Sequence, residues 1–599
     1  MIIPVNQVVI RLTDYGAVPD SGADALPAMR RAIEAASRVQ GPVLLDIPHG
    51  RYDFHSDEAI RTPYYISNTA SESENPDVTK TIGILLQGLK DLTLEGNGSL
   101  LVFHGKMTML AIDGCEGIRI RNLHADYEWP TVTEMTITGV GSEHFDAEVH
   151  PDSRYAIEDE RLIWLGEGWR FTEGPMQAYD PIRDTTWRID NLVERASRVE
   201  ELAPKRLRLF IEDAGQLSGL IAGRMLQMRD GIRDQVGAFI HRSRDVSWSG
   251  VGMHFMHGLG IVGQFSENLS FKKMDFSPRA ETGRTVTAFA DFIHLSGCRG
   301  KVEITDSRFV GGHDDPINAH GTHLRIVGTP APDQLVLRFM HHQTYGFDAF
   351  IPGDEIEFVR HASLLAYGSG TVKTTERLSP REVLLTLETP APADIDPDDV
   401  VENVTWTPEV RIAGNYFARI PTRGVLITTR RKVVIEGNRF ERMTMSGISV
   451  ADDAESWYES GKVGDLTIRN NRFIECGGPD HPVITIAPEN TELDAVRPVH
   501  AGIRIEGNRI ETRDAAALGA KSAGLIDFIG NEIVMTADVA SADANKPLQS
   551  LMTLTACSGV RIAGNILAGE GLERVVRLRQ MPADEAAVEA GQGLRTIAE

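Results

Sequence analysis

One short pattern returns along most of this chain: alternating apolar residues, a polar or small residue, Asn, and an apolar residue after it. It reads Leu92-Thr-Leu-Glu-Gly-Asn97, Ile118-Arg-Ile-Arg-Asn122 and Val302-Glu-Ile-Thr-Asp306-Ser-Arg-Phe309. It continues as Val410-Arg-Ile-Ala-Gly-Asn415-Tyr-Phe417, Val433-Val-Ile-Glu-Gly-Asn438-Arg-Phe440 and Leu466-Thr-Ile-Arg-Asn-Asn471-Arg-Phe473. Ile503-Arg-Ile-Glu-Gly-Asn508-Arg-Ile510 and Val560-Arg-Ile-Ala-Gly-Asn565-Ile-Leu567 close the series, with a weaker copy ending at Asn531-Glu-Ile533. Alternation makes a short strand with one inward face. Gly and Asn both tolerate positive φ and supply a corner. The following Phe or Ile turns back into the core. Val410 to Val433 spans 23 residues, one coil of a solenoid. The 33 residues from Val433 to Leu466 imply a loop inserted at a corner. Coils stacked ~4.8 Å apart bury their apolar faces only against each other. A leucine-rich repeat lacks its Leu framework here, and a β-sandwich would not repeat one corner. The predicted fold is therefore all-β, a right-handed parallel β-helix.

At 599 residues the chain exceeds one compact core. Its domains read as an N-terminal cap with the first coils (1–130), a β-rich insertion (131–240) and central coils (241–323). A second β-rich insertion (324–405), C-terminal coils (406–580) and a tail (581–599) follow. Each insertion is expected to be a small β-barrel-like subdomain. In the second, Leu335–Phe339, Gly353–Phe358 and Val383–Leu387 are strand-like. Leu26–Ser37, preceded by Asp24, is predicted as a helix that caps the open solenoid end. The Ala-rich stretch from Ala583 is expected to be a helix or a frayed tail.

A formal charge of −24 argues against nucleic acid, anionic membranes and a polyanionic substrate. Cys115, Cys298, Cys476 and Cys557 are far apart, without zinc-site spacing. They read as buried thiols of a reducing compartment. The start MIIPVNQVVIRLTDYG has no signal-peptide pattern, and no run approaches 18 apolar residues. As written the protein is expected in the cytoplasm, or secreted or periplasmic if a native leader is missing.

Asp314 and Asp315 lie in Gly311-Gly-His-Asp-Asp-Pro-Ile-Asn318, and Asp291 in Ala288-Phe-Ala-Asp-Phe-Ile-His294. Asp291 and Asp314 are 23 residues apart, about one coil, so the three carboxylates should crowd one patch. Crowded carboxylates cannot all ionise freely, which is what acid–base glycoside hydrolysis needs. Both adjacent Asp can face solvent only if the backbone leaves regular strand, and Gly311, Gly312 and Pro316 permit that. On the plainer view, Asp-Asp-Pro is a solvated turn.

Here the sequence resembles the polygalacturonase-type β-helix glycosidases, including at Leu12-Thr-Asp-Tyr-Gly-Ala-Val-Pro-Asp20. Their Gly-His-Gly and uronate-gripping Arg-Ile-Lys are absent. A closer resemblance is to glycoside hydrolase family 110, the bacterial α-1,3-galactosidases. It rests on Met253-His-Phe-Met-His-Gly-Leu-Gly260, Phe289-Ala-Asp-Phe-Ile-His294 and Gly312-His-Asp-Asp-Pro-Ile-Asn318-Ala-His-Gly321. Arg423-Gly-Val-Leu-Ile427 and the stretch Asp453 to Ser460 add to it. The resemblance implies an inverting exo-hydrolase without metal or cofactor. Its substrate would be a galactose-terminated glycan such as blood group B, and its assembly a homodimer. Asp314 would be the general acid, with Asp291 and Asp315 polarising water, although the sequence alone leaves acid and base interchangeable. Inversion implies a carboxyl spacing of roughly 6.5–9.5 Å.

Candidate sugar ligands are His254, His257, His294, His313, Asn318, Arg423, Asp452 and Asp453. Trp457 and Trp406 could offer apolar platforms, and Glu355 and Glu357 could reach over from the second insertion. Each also reads as ordinary packing or a surface pair. A calcium-dependent polysaccharide lyase and a non-catalytic glycan-binding β-helix are the competing readings.

Overall fold

The computed structural model describes residues 7–536, 549–589, 591 and 593–599. The start at 1–6 and part of the C-terminal coils, 537–548, lie outside the described residues.

The repeats stack as a parallel β-helix with three strand faces. One runs through Arg299–Thr305, Pro408–Ala413, Val433–Glu436, Leu466–Arg469 and His500–Glu506. After the corner, a second runs through Arg308–Val310, Tyr416–Ala418, Arg439–Glu441, Arg472–Ile474 and Arg509–Thr512. The third includes Val236–His241, Leu259–Gln264, Ile293–Ser296, Ile317–Gly328, Val425–Ile427 and Ile448–Val450.

Two columns of identical side chains explain the repeat. Phe276, Phe309, Phe417, Phe440 and Phe473 stack ring on ring at 4.7–4.9 Å, the strand spacing itself. The Asn residues form the other column, and their role differs from the expected one. Gly414, Gly437 and Gly507 take the positive φ at the corner, and Asn470 takes it in its coil. Asn415, Asn438, Asn471, Asn508 and Asn531 are instead buried in a ladder. From Asn438 on, each Oδ1 accepts from the backbone and side-chain N–H of the previous Asn, as from Asn438 to Asn471 at 3.0 Å, while that of Asn415 accepts from the Ser307 amide. Each Nδ2 also donates to a strand carbonyl, as Asn471 does to Ile435 at 2.9 Å. A corner with no backbone partner would leave buried polar groups orphaned, and the ladder satisfies them.

The helix Leu26–Ser37 buries Ala28, Met29, Ala32 and Ala36 against the first coils. Asp24 accepts from the amide of Leu26 at its start. The stretch from Ala583 makes one 3-10 turn, Ala583–Glu585, and then strands in place of the expected longer helix or loose tail. Ala586–Val588 and Arg595–Ala598 pair in parallel with Ser558–Ala563 and Glu573–Arg579. Helix propensity is a weak preference there, and pairing with an open strand edge overrides it.

Both insertions are antiparallel and carry their own cores. The first is a seven-stranded sheet from Thr133–Val140 to Met225–Met228, filled by Met135, Phe145, Trp164 and Leu209. The second begins where Ile317–Gly328 runs out of the third face. It returns at Val400–Asn403, around Leu324, Leu335, Phe358 and Leu385. The second leaves the helix in the coil of Asp314 and Asp315. The first returns to it three rungs earlier yet reaches the same region, where Gln177 donates to the His313 carbonyl and Arg188 lies 3.5 Å from Asp314. All four cysteines are buried thiols.

Candidate active site

Register on the third face sets the site. Ile293 pairs with Ile317 and His294 with Asn318, an offset of 24 residues. Asp315 rather than Asp314 therefore lies over Asp291, and the Phe292 amide donates to the Asp315 carbonyl at 3.3 Å. The next coil places Arg423 over Asp315, because Ile317 pairs with Val425. Asp291, Asp315 and Arg423 thus occupy one column. Residues 313–316 form an irregular bend that turns Asp314 out beside the column. The bend needs Gly311, whose φ is 81°. A Cβ there would meet the Thr285 carbonyl oxygen at 2.3 Å.

The Asp291 and Asp315 side chains are 6% and 2% exposed, and that of Asp314 is 22% exposed. Burial, then Asp314 and Glu459, pushes the Asp291 carboxyl well above the usual range against the pull of Arg233 and Arg423. Burial also drives Asp315 up, to about 7. Arg423 opposes this, while Asp314 and Asp291 add to it. Arg423 donates to Asp315 from Nη2 at 2.7 Å, from Nε at 3.2 Å and from its own amide at 3.1 Å. Arg188 lies 3.5 Å from Asp314. Among the described residues, basic side chains thus line this patch despite the acidic chain. Three carboxylates with shared protons beside fixed cations can donate one proton and accept another.

Several predicted residues join this cluster. His294 Nδ1 lies 2.8 Å from Asp291 Oδ2, and burial lowers the ring to about 4. Asn318 donates to Glu459 at 3.3 Å. Trp457 is 42% exposed, the outermost aromatic here, with its ring 4.4 Å from that of His341 and under Arg233. Asp453 acts one step back. Its carboxylate accepts the amides of Glu455, Ser456, Trp457 and Tyr458 and so shapes the loop of the 33-residue coil.

Others are not brought there. His313 is fully buried under the first insertion, with its ring on Gln227 and its carbonyl on Gln177. His254 bonds His124 and the Ser277 carbonyl. His257 sits between Thr131 and Asp234, with Lys106 on the same Asp. Asp452 is buried near Glu402 and His323, where burial raises its carboxyl. Glu355 is exposed and bonds Thr371, and Glu357 pairs with Arg430. Trp406 packs on Phe265 and Arg299 inside the second insertion.

Sequence reasoning missed Glu459, His320, Arg233, Arg188 and Asn68. Glu459 is 12% exposed and bonds Asn68 at 2.7 Å and Asn318. Its strand pairs antiparallel with Gly321–Thr322. His320 had a signal, since it follows Asn318 by two and so shares its strand face. Arg233 and Asn68 had none. A cleft of about 540 Å³, lined by Asp180, Trp187, Arg224, Arg442 and Glu475, lies elsewhere and includes none of the three Asp. His294, His320 and Glu459 offer ligand atoms within 4.8 Å of one another, a spacing compatible with a metal ion.

Residues 133–217 match the family described as GLAA-B beta-barrel domain I, and residues 334–401 match GLAA-B beta-barrel domain II. The α-1,3-galactosidase A of Bacteroides thetaiotaomicron is 46% identical over 509 residues, covering 84% of this chain and 88% of its own. That of Bacteroides fragilis (strain YCH46) is 42% identical over 577 residues, covering 96% and 94%. Among solved structures, the family 28 exopolygalacturonase of Yersinia enterocolitica is similar over 98% of this chain and 78% of its own. Its TM-score is 0.43 at 10% identity.

Proposed function

This chain belongs to the α-1,3-galactosidase family, and on that premise we propose that it hydrolyses terminal α-1,3-linked galactose with inversion. Blood group B glycans and linear Galα1-3Gal are the proposed substrates. The observation that carries this reading is the column of Asp291, Asp315 and Arg423 with Asp314 beside it.

Asp314 is the most exposed of the three carboxyls, which suits the group that meets the departing sugar. It gives its proton to the glycosidic oxygen as the C1–O bond breaks. Asp291 and Asp315, stacked and buried, take the proton of the water that attacks C1 from the opposite face. Their mutual repulsion and burial keep one proton shared between them, so the pair accepts without needing both to ionise. Arg423 holds Asp315 in the orientation to do so. Trp457 offers an apolar surface to the C–H face of galactose. Glu459 and Asn318 supply buried hydrogen-bonding groups for its hydroxyls.

Incubation of wild type and Asp314→Asn with Galα1-3Gal and the branched blood group B trisaccharide, with and without EDTA, tests this. Galactose released by wild type in both conditions and lost in the variant is expected. Galactose from neither substrate would break the reading, and galactose release lost with EDTA would mean a metal-dependent hydrolase. The homodimer is part of the same proposal, and sedimentation velocity checks it.

A further inference from the structure

Two imidazole nitrogens meet head-on beside the carboxylate column. His294 Nε2 lies 3.0 Å from His320 Nε2, and Glu459 Oε1 lies 3.4 Å from the latter. The far side of each ring fixes its tautomer. His320 Nδ1 lies 2.5 Å from the Gly321 carbonyl, which can only accept. Nδ1 therefore carries the hydrogen, and Nε2 of the neutral ring presents a lone pair. His294 Nδ1 faces Asp291 Oδ2. When Asp291 is a carboxylate, that nitrogen too carries the hydrogen, and Nε2 again presents a lone pair. Both rings are buried. Two facing lone pairs repel unless something positive lies with them, either a proton or a cation.

We propose that His294, His320 and Glu459 bind a divalent transition-metal ion of the zinc class, in competition with the proton that otherwise links the two rings. Two imidazoles and one carboxylate are a zinc ligand set. Tetrahedral bonds of ~2.0–2.1 Å put zinc ligand atoms about 3.3 Å apart, beside the observed 3.0 and 3.4 Å. The surroundings fit independently of the ligands. Zinc-binding histidines give their other N–H to a carboxylate or carbonyl, which is what Asp291 and Gly321 receive here. Glu459 is braced by the amides of Asn68 and Asn318. Imidazole ligands with a single carboxylate disfavour calcium and magnesium, which take oxygen.

Occupancy inhibits the enzyme. An ion held by Glu459 takes up the carboxylate that binds a galactose hydroxyl in the function proposed above, and so competes with substrate. Chelation then leaves activity unchanged or raises it.

The test uses the full chain stripped with a chelator and titrated with Co²⁺ and with Zn²⁺, without substrate. Binding is read by calorimetry and by Co²⁺ visible absorption, so the result does not depend on which sugar is cleaved. About one equivalent per chain is expected, with Zn²⁺ displacing Co²⁺. His320→Ala and the isosteric Glu459→Gln should each weaken binding by about tenfold or more. Glu459→Gln decides the matter if His320→Ala does not fold. Zn²⁺ should inhibit wild type, and chelator should restore it. No saturable binding in the wild type, or unchanged affinity in a folded ligand variant, overturns the proposal.

Discussion

Arg423 grips Asp315 three ways, through Nη2, Nε and its own backbone amide, from the coil directly above. Asp315 must be ionised to accept a proton, so activity should rise with pH through about 7. Arg423 opposes the burial that raises this group. Arg423→Met should move the acidic limb of the kcat/KM profile to higher pH. The loss at pH 6 should be about 10²-fold, as read by pH–rate measurements. Partial exposure of Arg423 keeps the stability cost below the about 3–5 kcal/mol of a fully buried pair. An unshifted limb would mean that Asp315 is not the titrating base.

The exposure difference between Asp314 and the buried pair predicts separable roles. All three Asp→Asn variants should lose about 10²–10⁴-fold in kcat on Galα1-3Gal. A dinitrophenyl α-galactoside needs no proton on its leaving group. It should restore turnover to Asp314→Asn and not to Asp291→Asn or Asp315→Asn. Rescue of Asp291→Asn instead would reverse the acid and base assignments.

These contacts show what was legible in the chain. The three Asp could be found because a coil has a nearly fixed length. The one-residue difference between 23 and 24 decided which Asp stacks on Asp291, and only the register of Ile293 on Ile317 reveals it. His313 adjoins Asp314 in sequence yet faces the first insertion, since the bend that frees Asp314 turns its neighbour away. Glu459 lay in a segment that the family resemblance quoted. Its place depends on pairing with Thr322, 137 residues earlier in the chain, which no local pattern encodes. Arg233 and Asn68 arrive from distant loops for the same reason.

Asp453 organises the loop rather than touching sugar in this account. Asp453→Ala frees four amides and loosens Trp457 and Glu459. It should raise KM by about tenfold, equivalent to about 1.4 kcal/mol, with a smaller change in kcat. Steady-state kinetics check this. A loss confined to kcat would give Asp453 a different role.

The Asn ladder predicts a stability effect far from the site. Asn471→Ala removes two acceptor and two donor contacts inside the corner column. Buried backbone groups left unpaired should cost about 2–3 kcal/mol, as measured by urea unfolding, with the pH profile of activity unchanged. A variant as stable as wild type would show that the ladder is not what holds the corners.

The most direct test of the central claim is the anomer of the first sugar released, followed by NMR from the moment of mixing with Galα1-3Gal. Asp291 and Asp315 acting on water, opposite the leaving group, predict β-galactose first, with α-galactose appearing only by mutarotation. α-Galactose as the first product would mean a covalent intermediate and would contradict the account.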